Sequence, residues 1–176
     1  MSSRAAATPA APSRSRYSCR SFSERPVEAE KLDALVEAAV AAPTAVDRQP
    51  WHLWVVESSD AVARLSALTR FGFGARVILV LGARADEAWV RKYDGRNFAD
   101  VDASIVGTHI MLAAHDLGLG TTWVGHFDAP AVQEAFPETA GYDLVALFPL
   151  GYPAEGDEPS PRHFERKGVE ELVTRV

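Results

Sequence analysis

The chain has one cysteine, Cys19, so it carries no disulfide framework and no cysteine metal cluster. None of its apolar runs approaches the length needed to span a bilayer. Lysine is scarce, three residues against fifteen arginines, a coding bias that points to no particular partner. A formal net charge of -6 argues against a general nucleic-acid binder. Also missing are GxSxG, a Walker loop, HExxH and CxxC, which removes several hydrolase, nucleotidase, metalloprotease and thiol-redox classes. Phe71-Gly-Phe-Gly74 lacks the third glycine of a dinucleotide fingerprint. The histidines at 52, 109, 115, 126 and 163 have no metal-ligand spacing, and His109 reads as a core residue rather than a ligand. No pair of carboxylates stands out for acid–base work. With no evident catalytic side chain, a bound cofactor is the natural carrier of any chemistry.

What is present is a good core. With 176 residues, 47% of them hydrophobic, the chain has material for one domain, read as a soluble cytoplasmic one. Residues 1–15 are Arg, Ser, Ala and Pro without acid or aromatic, and read as a disordered tail ahead of a folded domain over 16–176. They have the flavour of a transit peptide but no amphipathic period.

The stretch from Asp102 to Asp128 organises the rest. Residues 103–117 read as a helix with too little polar surface: Ile105, Leu112 and Ala113 mark one side, Val106, Ile110, Ala114 and Leu117 another. Such a helix must be wrapped by other elements or by another chain. Gly118 and Gly120 stop it, residues 121–124 read as a short buried strand, and Gly125-His126-Phe127 turns out of it. Asp128 with Pro130 then opens a helix over 131–136.

Elsewhere, residues 28–41 make an amphipathic helix on Leu32, Leu35, Val36, Ala39 and Val40, and residues 60–68 a shorter one. Buried strands are expected over 51–56, 76–82 and 144–151. Residues 83–100 suit a helical turn or two about Trp89 and then a loop, as a substrate lid or as a structural connection. Helices alternating with buried strands predict a sheet covered by helices on both faces.

Two segments carry candidate chemistry. Arg16, Ser18 and Arg20 would form a cationic cup for a phosphate if the backbone is helical, although an exposed basic turn has the same composition. The loop from Ala42 to Pro50 is held between prolines and suits either a rigid ligand-facing feature or a plain connector.

Four stretches, in order, resemble the nitroreductase family of FMN flavoproteins. They are Arg16-x-Ser18-x-Arg20-x-Phe22, then Ala42-Pro-Thr44 with Asp47-x-Gln49-Pro-Trp51, then Leu112-Ala-Ala followed by Leu117-Gly-Leu-Gly120 and Trp123-Val-Gly125-x-Phe127-Asp128, and finally Pro149-Leu-Gly-Tyr-Pro153 with Arg166 beyond. The resemblance covers all but the N-terminal tail.

It implies an α+β, three-layer α-β-α fold and an intertwined homodimer in which both chains build each flavin site. It implies FMN as cofactor, NAD(P)H as electron donor and a small electron-poor acceptor such as a nitroaromatic or quinone. Reductive dehalogenation, flavin breakdown and flavin binding without turnover remain alternatives on the same fold. Cofactor contacts are implied at Arg16, Tyr17, Ser18 and Arg166, with Arg20 beside the pyrimidine side of the ring. Pro43, Thr44, Ala45 and Asp47 would approach from the partner chain. Trp123, Val124, Gly125 and His126 would lie along the ring, a backbone N–H of that turn facing N5. No side chain is expected to be catalytic. Three departures from the family pattern stand out: Asp47 replaces an asparagine, Phe164 replaces a basic residue for which Arg162 or Lys167 can substitute, and the segment before the central helix is short.

Overall fold

The computed structural model of the chain describes residues 11–176. Of the expected tail, residues 1–10 lie outside the described residues, and Ala11–Ser15 forms a short helix, α1. A four-stranded sheet holds the centre, built from β1 (Trp51–Val56), β2 (Val77–Ala83), β3 (Gly120–Thr121) and β4 (Asp143–Gly151). Its order is β1-β2-β4-β3 and every pairing is antiparallel.

The two-residue period of β2 and β4 divides the interior into two cores. Leu79, Leu81, Phe148 and Leu150 face α2 (Ala29–Val40) and α4 (Ala99–Asp116), while Ile78, Val80 and Leu147 face α3 (Ser59–Ser66) and α5 (Ala129–Ala135). Because β2 is buried on both faces, its sequence is a continuous apolar run. The result is the expected three-layer α-β-α arrangement.

Several expectations are corrected. β1 is an edge strand and only half-buried, with His52 exposed; aromatic and branched residues suit any pleated surface, so its composition overstated its depth. The strand expected over 121–124 shrinks to β3, and Val124 rejoins the sheet only through a bridge to Leu147. No helical turn forms about Trp89. Residues 89–98 fold back on themselves instead, with Phe98 N–H donating to the Trp89 carbonyl at 3.0 Å and Arg91 paired to Asp94.

α4 starts at Ala99 rather than at residue 103, because the Asn97 side chain accepts from Ala99 N–H at 2.9 Å and supplies an earlier start. At its other end the Lys31 ammonium donates to the Leu117 carbonyl at 2.5 Å, and Gly118 turns with φ +74. One side of α4, through Ala103, Val106, Gly107, Ile110 and Ala114, is buried under the sheet and α2. Among the described residues, nothing covers the other side. Val101, Ile105, Thr108, His109 and Leu112 line a shallow groove there of about 600 Å³. The hydroxyls of Ser104 and Thr108 fold back onto helix carbonyls, which leaves the groove more apolar than its sequence. His109 stands on this groove rather than in the core.

Candidate functional site

Residues 16–20 run extended, not helical, beside β3: Ser18 bridges Thr121 in parallel, and Cys19 N–H donates to the Thr121 carbonyl at 3.1 Å. Alternation therefore sorts the segment. Arg16, Ser18 and Arg20 face one side together, as residues i, i+2 and i+4 of an extended chain must. Cys19 faces the other, fully buried against Gly120, where a Cβ would lie 2.5 Å from its sulfur. Burial pushes the Cys19 thiol up to about 12, which makes it an inert packing group. Tyr17 also turns away from the arginines, and its hydroxyl donates to Asp157 Oδ2 at 2.9 Å.

The C-terminal crossing supplies the opposite wall. A single 3-10 turn, Pro161–His163, places Arg162 and His163 beside Ser160 and Arg166. Together with Arg16, Ser18 and Arg20 these residues line a cleft of about 560 Å³. No carboxylate among the described residues lines it. Two of the guanidiniums are held by backbone carbonyls instead: Arg20 by Ser18 at 3.2 Å, and Arg166 by Arg162 and Glu165, both at 2.9 Å. Forked donors and hydroxyls around an acid-free hollow suit a phosphate. Phe164 is 73% exposed and stands outside the cleft, while Arg162 fills it; Lys167 does not line it.

The loop from Pro43 to Gln49 has an unusual backbone. Val46, Asp47 and Gln49 all adopt left-handed φ, at 55°, 54° and 50°, and for a branched residue such as Val46 that is a true outlier. Internal bonds hold the shape: Gln49 N–H donates to Thr44 Oγ1 at 3.0 Å, and the Gln49 side-chain amide to Asp47 Oδ1 at 2.9 Å. From below, the buried Asp102 of α4 accepts Ala45 N–H through Oδ1 at 2.8 Å. Asp47 thus satisfies part of its carboxylate within its own loop, and Arg48 reaches the Glu87 carbonyl rather than Asp47.

In the third stretch Trp123 packs edge-on against Phe148 and rests on Gly107, where a Cβ would meet Trp123 Cζ3 at 2.5 Å. Val124 is buried and spends both its backbone groups on Leu147, at 2.9 Å each. Gly125 and His126 are exposed, and among the described residues neither backbone N–H donates to another backbone group. Of the four residues proposed along a ring, these two are the exposed ones, and their N–H groups are open to a ligand. The His126 carbonyl accepts from Thr69 Oγ1 at 3.1 Å, and Phe71 packs edge-on to its imidazole, which fixes the turn.

The structure thus brings Arg16, Ser18, Arg20 and Arg166 into one cleft and leaves Tyr17 outside it. Pro43, Thr44, Ala45 and Asp47, and likewise Trp123 to His126, do not line that cleft in the single chain. Ser160 and His163 were not singled out from the sequence, since nothing in Ser-Pro-Arg-His marks a site until the crossing folds back. Asp102 stands in the sequence only at the head of the stretch that holds the helix over 103–117; an acid preceding an apolar helix is too common a pattern to show that this one is buried.

Comparison with known proteins accords with this geometry. The model of the nitroreductase family matches residues 13–73 and 67–152. A protein of Methanothermobacter thermautotrophicus carrying the name NADH dehydrogenase/NAD(P)H nitroreductase is 29% identical over 163 residues, spanning 87% of this chain and 84% of its own. The crystal structure of a nitroreductase family protein from Clostridium difficile superposes with a TM-score of 0.87 at 31% identity, covering 96% of this chain and 98% of that one. A nitroreductase from Desulfovibrio desulfuricans, solved in complex with FMN, superposes with a TM-score of 0.80 at 26% identity, over 97% and 98% of the two chains. With the fold, the ordered motifs and the family match in agreement, this chain belongs to the nitroreductase family.

Proposed function

We propose that the chain is an FMN-dependent NAD(P)H oxidoreductase that passes hydride to a small electron-poor acceptor, a nitroaromatic or a quinone. The observation that carries this reading is the acid-free cleft in which arginines from both ends of the sequence converge. A phosphate monoester brings close to two negative charges and three acceptor oxygens, which Arg16, Arg162 and Arg166 match as charge and Ser18 as a hydroxyl. Arg20, at the rim, supplies a cation toward the pyrimidine side of the ring. The exposed N–H groups of Gly125 and His126 are donors for its N5 side.

FMN, held by Arg16, Ser18, Arg162 and Arg166 at its phosphate, would supply the hydride chemistry. The protein's part is to bind, orient and exclude water. Trp123, fixed between Gly107 and Phe148, backs the turn. The loop over Thr44, Ala45 and Asp47 does not line its own chain's cleft, which favours a homodimer in which it completes the partner's site. The uncovered apolar side of α4 and the exposed Val169 and Leu172 near the C-terminus favour the same assembly.

The test is turnover. Protein loaded with FMN should oxidise NAD(P)H in the presence of p-benzoquinone or a nitrofuran, at a rate that vanishes when the flavin is removed. Stoichiometric flavin with no NAD(P)H oxidation by any acceptor would make the protein a flavin binder instead.

A further inference from the structure

We propose that the Tyr17–Asp157 hydrogen bond is a latch that sets the C-terminal wall of the phosphate cleft, making both residues positioning residues for phosphate recognition. The inference rests on the FMN reading above.

The cleft is assembled from two segments far apart in sequence, and its width depends on how they are joined. Between them runs a short zipper: Ser23 N–H donates to the Tyr152 carbonyl at 2.8 Å, and Ala154 N–H to the Ser21 carbonyl at 3.0 Å. Tyr17 to Asp157, at 2.9 Å, is the next rung. Beyond it the anchoring stops. Among the described residues, the backbone hydrogen bonds of 158–176 stay within that stretch, as do those of the Arg166 guanidinium. Ser160, Arg162, His163 and Arg166 therefore hang from the Asp157 end of the zipper, which is tied locally by Asp157 N–H donating to the Ala154 carbonyl at 3.1 Å and across to the other wall by the Tyr17 hydroxyl.

The placement of Tyr17 suits this role. Alternation aims it away from the cleft while its neighbours Arg16 and Ser18 face in, so one stretch of extended chain both binds the ligand and fixes the opposite wall. Burial, with Asp157 adding to it, holds the Tyr17 hydroxyl well above the usual phenol range, so the donor proton stays in place at any physiological pH.

The test compares FMN with riboflavin, which shares the ring and lacks the phosphate, on full-length protein freed of flavin. Tyr17→Phe and Asp157→Ala should each raise the FMN Kd about five- to tenfold and leave the riboflavin Kd within about twofold. Asp157→Asn, whose amide oxygen still accepts from Tyr17, should bind FMN like the wild type. The double variant Tyr17→Phe/Asp157→Ala should be no weaker than either single one, because the same bond is lost in each. Unchanged FMN binding in Tyr17→Phe, an equal loss for riboflavin, or additive losses would each overturn the latch. A wild type that binds FMN no better than riboflavin would overturn the phosphate cleft itself.

Discussion

Arg16 and Arg162 reach the cleft from opposite ends of the chain, and each faces other donors there rather than a carboxylate. Removing either side chain should therefore cost phosphate binding without releasing a buried acid. Arg16→Ala and Arg162→Ala are each expected to lose about 1.5–3 kcal/mol of FMN affinity, the scale of a hydrogen bond to a charged group, and much less for riboflavin. Titration of both ligands by flavin fluorescence separates the cases; equal losses would place the arginine away from the phosphate. Half of this site was legible in Arg16-x-Ser18-x-Arg20, although for a different reason from the helical one first inferred. Residues four apart share a face of a helix, but residues two apart share a face only in an extended chain, and Ser18 joins the arginines because the chain is extended. The same alternation turns Tyr17 to Asp157, a partner that lies 140 residues away and that no local pattern announces.

Two elements carry the framework on which the site depends. The start of α2 is tied to the end of β4 through Glu28, which accepts from the Tyr152 hydroxyl at 2.7 Å and from Arg25 at 2.6 Å. Arg25 also lies over the Tyr152 ring, 3.8 Å from its centre. The tyrosine hydroxyl first, and then Arg25, pull the Glu28 carboxyl from its ordinary 4.5 down to about 2. Since the folded value is the lower, this contribution to stability is fully present above about pH 4.5 and is lost as the pH falls toward 2. Glu28→Gln should accordingly unfold at lower temperature than the wild type near neutrality, with the difference closing by about pH 2. A difference in Tm that is the same at both pH values would mean that the carboxylate charge is not what is recognised.

The second element is α4. Its Gly107 admits Trp123 and Phe148, whose rings would lie 2.5 Å and 2.8 Å from an added Cβ. Gly107→Ala should lower stability by about 1–3 kcal/mol, as overpacking of a filled core does, and should weaken flavin binding by displacing Trp123. An unchanged Tm would show that the ring does not rest there. Amphipathic periodicity made α2 readable in advance, and near-continuous apolar sequence made the body of α4 and the runs of β2 and β4 so. The depth of β1 and the length of β3 were not, because burial of a strand depends on its place in the sheet, which composition does not encode. The fold of residues 89–98 escaped the sequence for a similar reason. Asp94-Gly95, with Gly95 at φ 70°, does mark its turn, but the Arg91–Asp94 pairing and the return of Phe98 to the Trp89 carbonyl have no local signature.

At the scale of the whole molecule, one chain leaves two things unfinished: an apolar groove along α4 and a strained loop that does not line the cationic cleft. Both are accounted for if a second copy covers the first and receives the second. The unfolding midpoint should then rise with protein concentration, as it does when folding and association are linked. A compact monomer with a concentration-independent midpoint would argue against a shared site. Within that assembly the central claim is that this chain holds FMN and reduces it with a nicotinamide. The measurement that bears on it most directly is an anaerobic titration of the FMN-loaded protein with NADH and with NADPH, followed by the visible flavin absorbance. Near-stoichiometric bleaching by at least one of the two, reversed when a quinone is admitted, is the expected result. Flavin that stays oxidised in excess of both nucleotides, while dithionite bleaches it, would contradict the account.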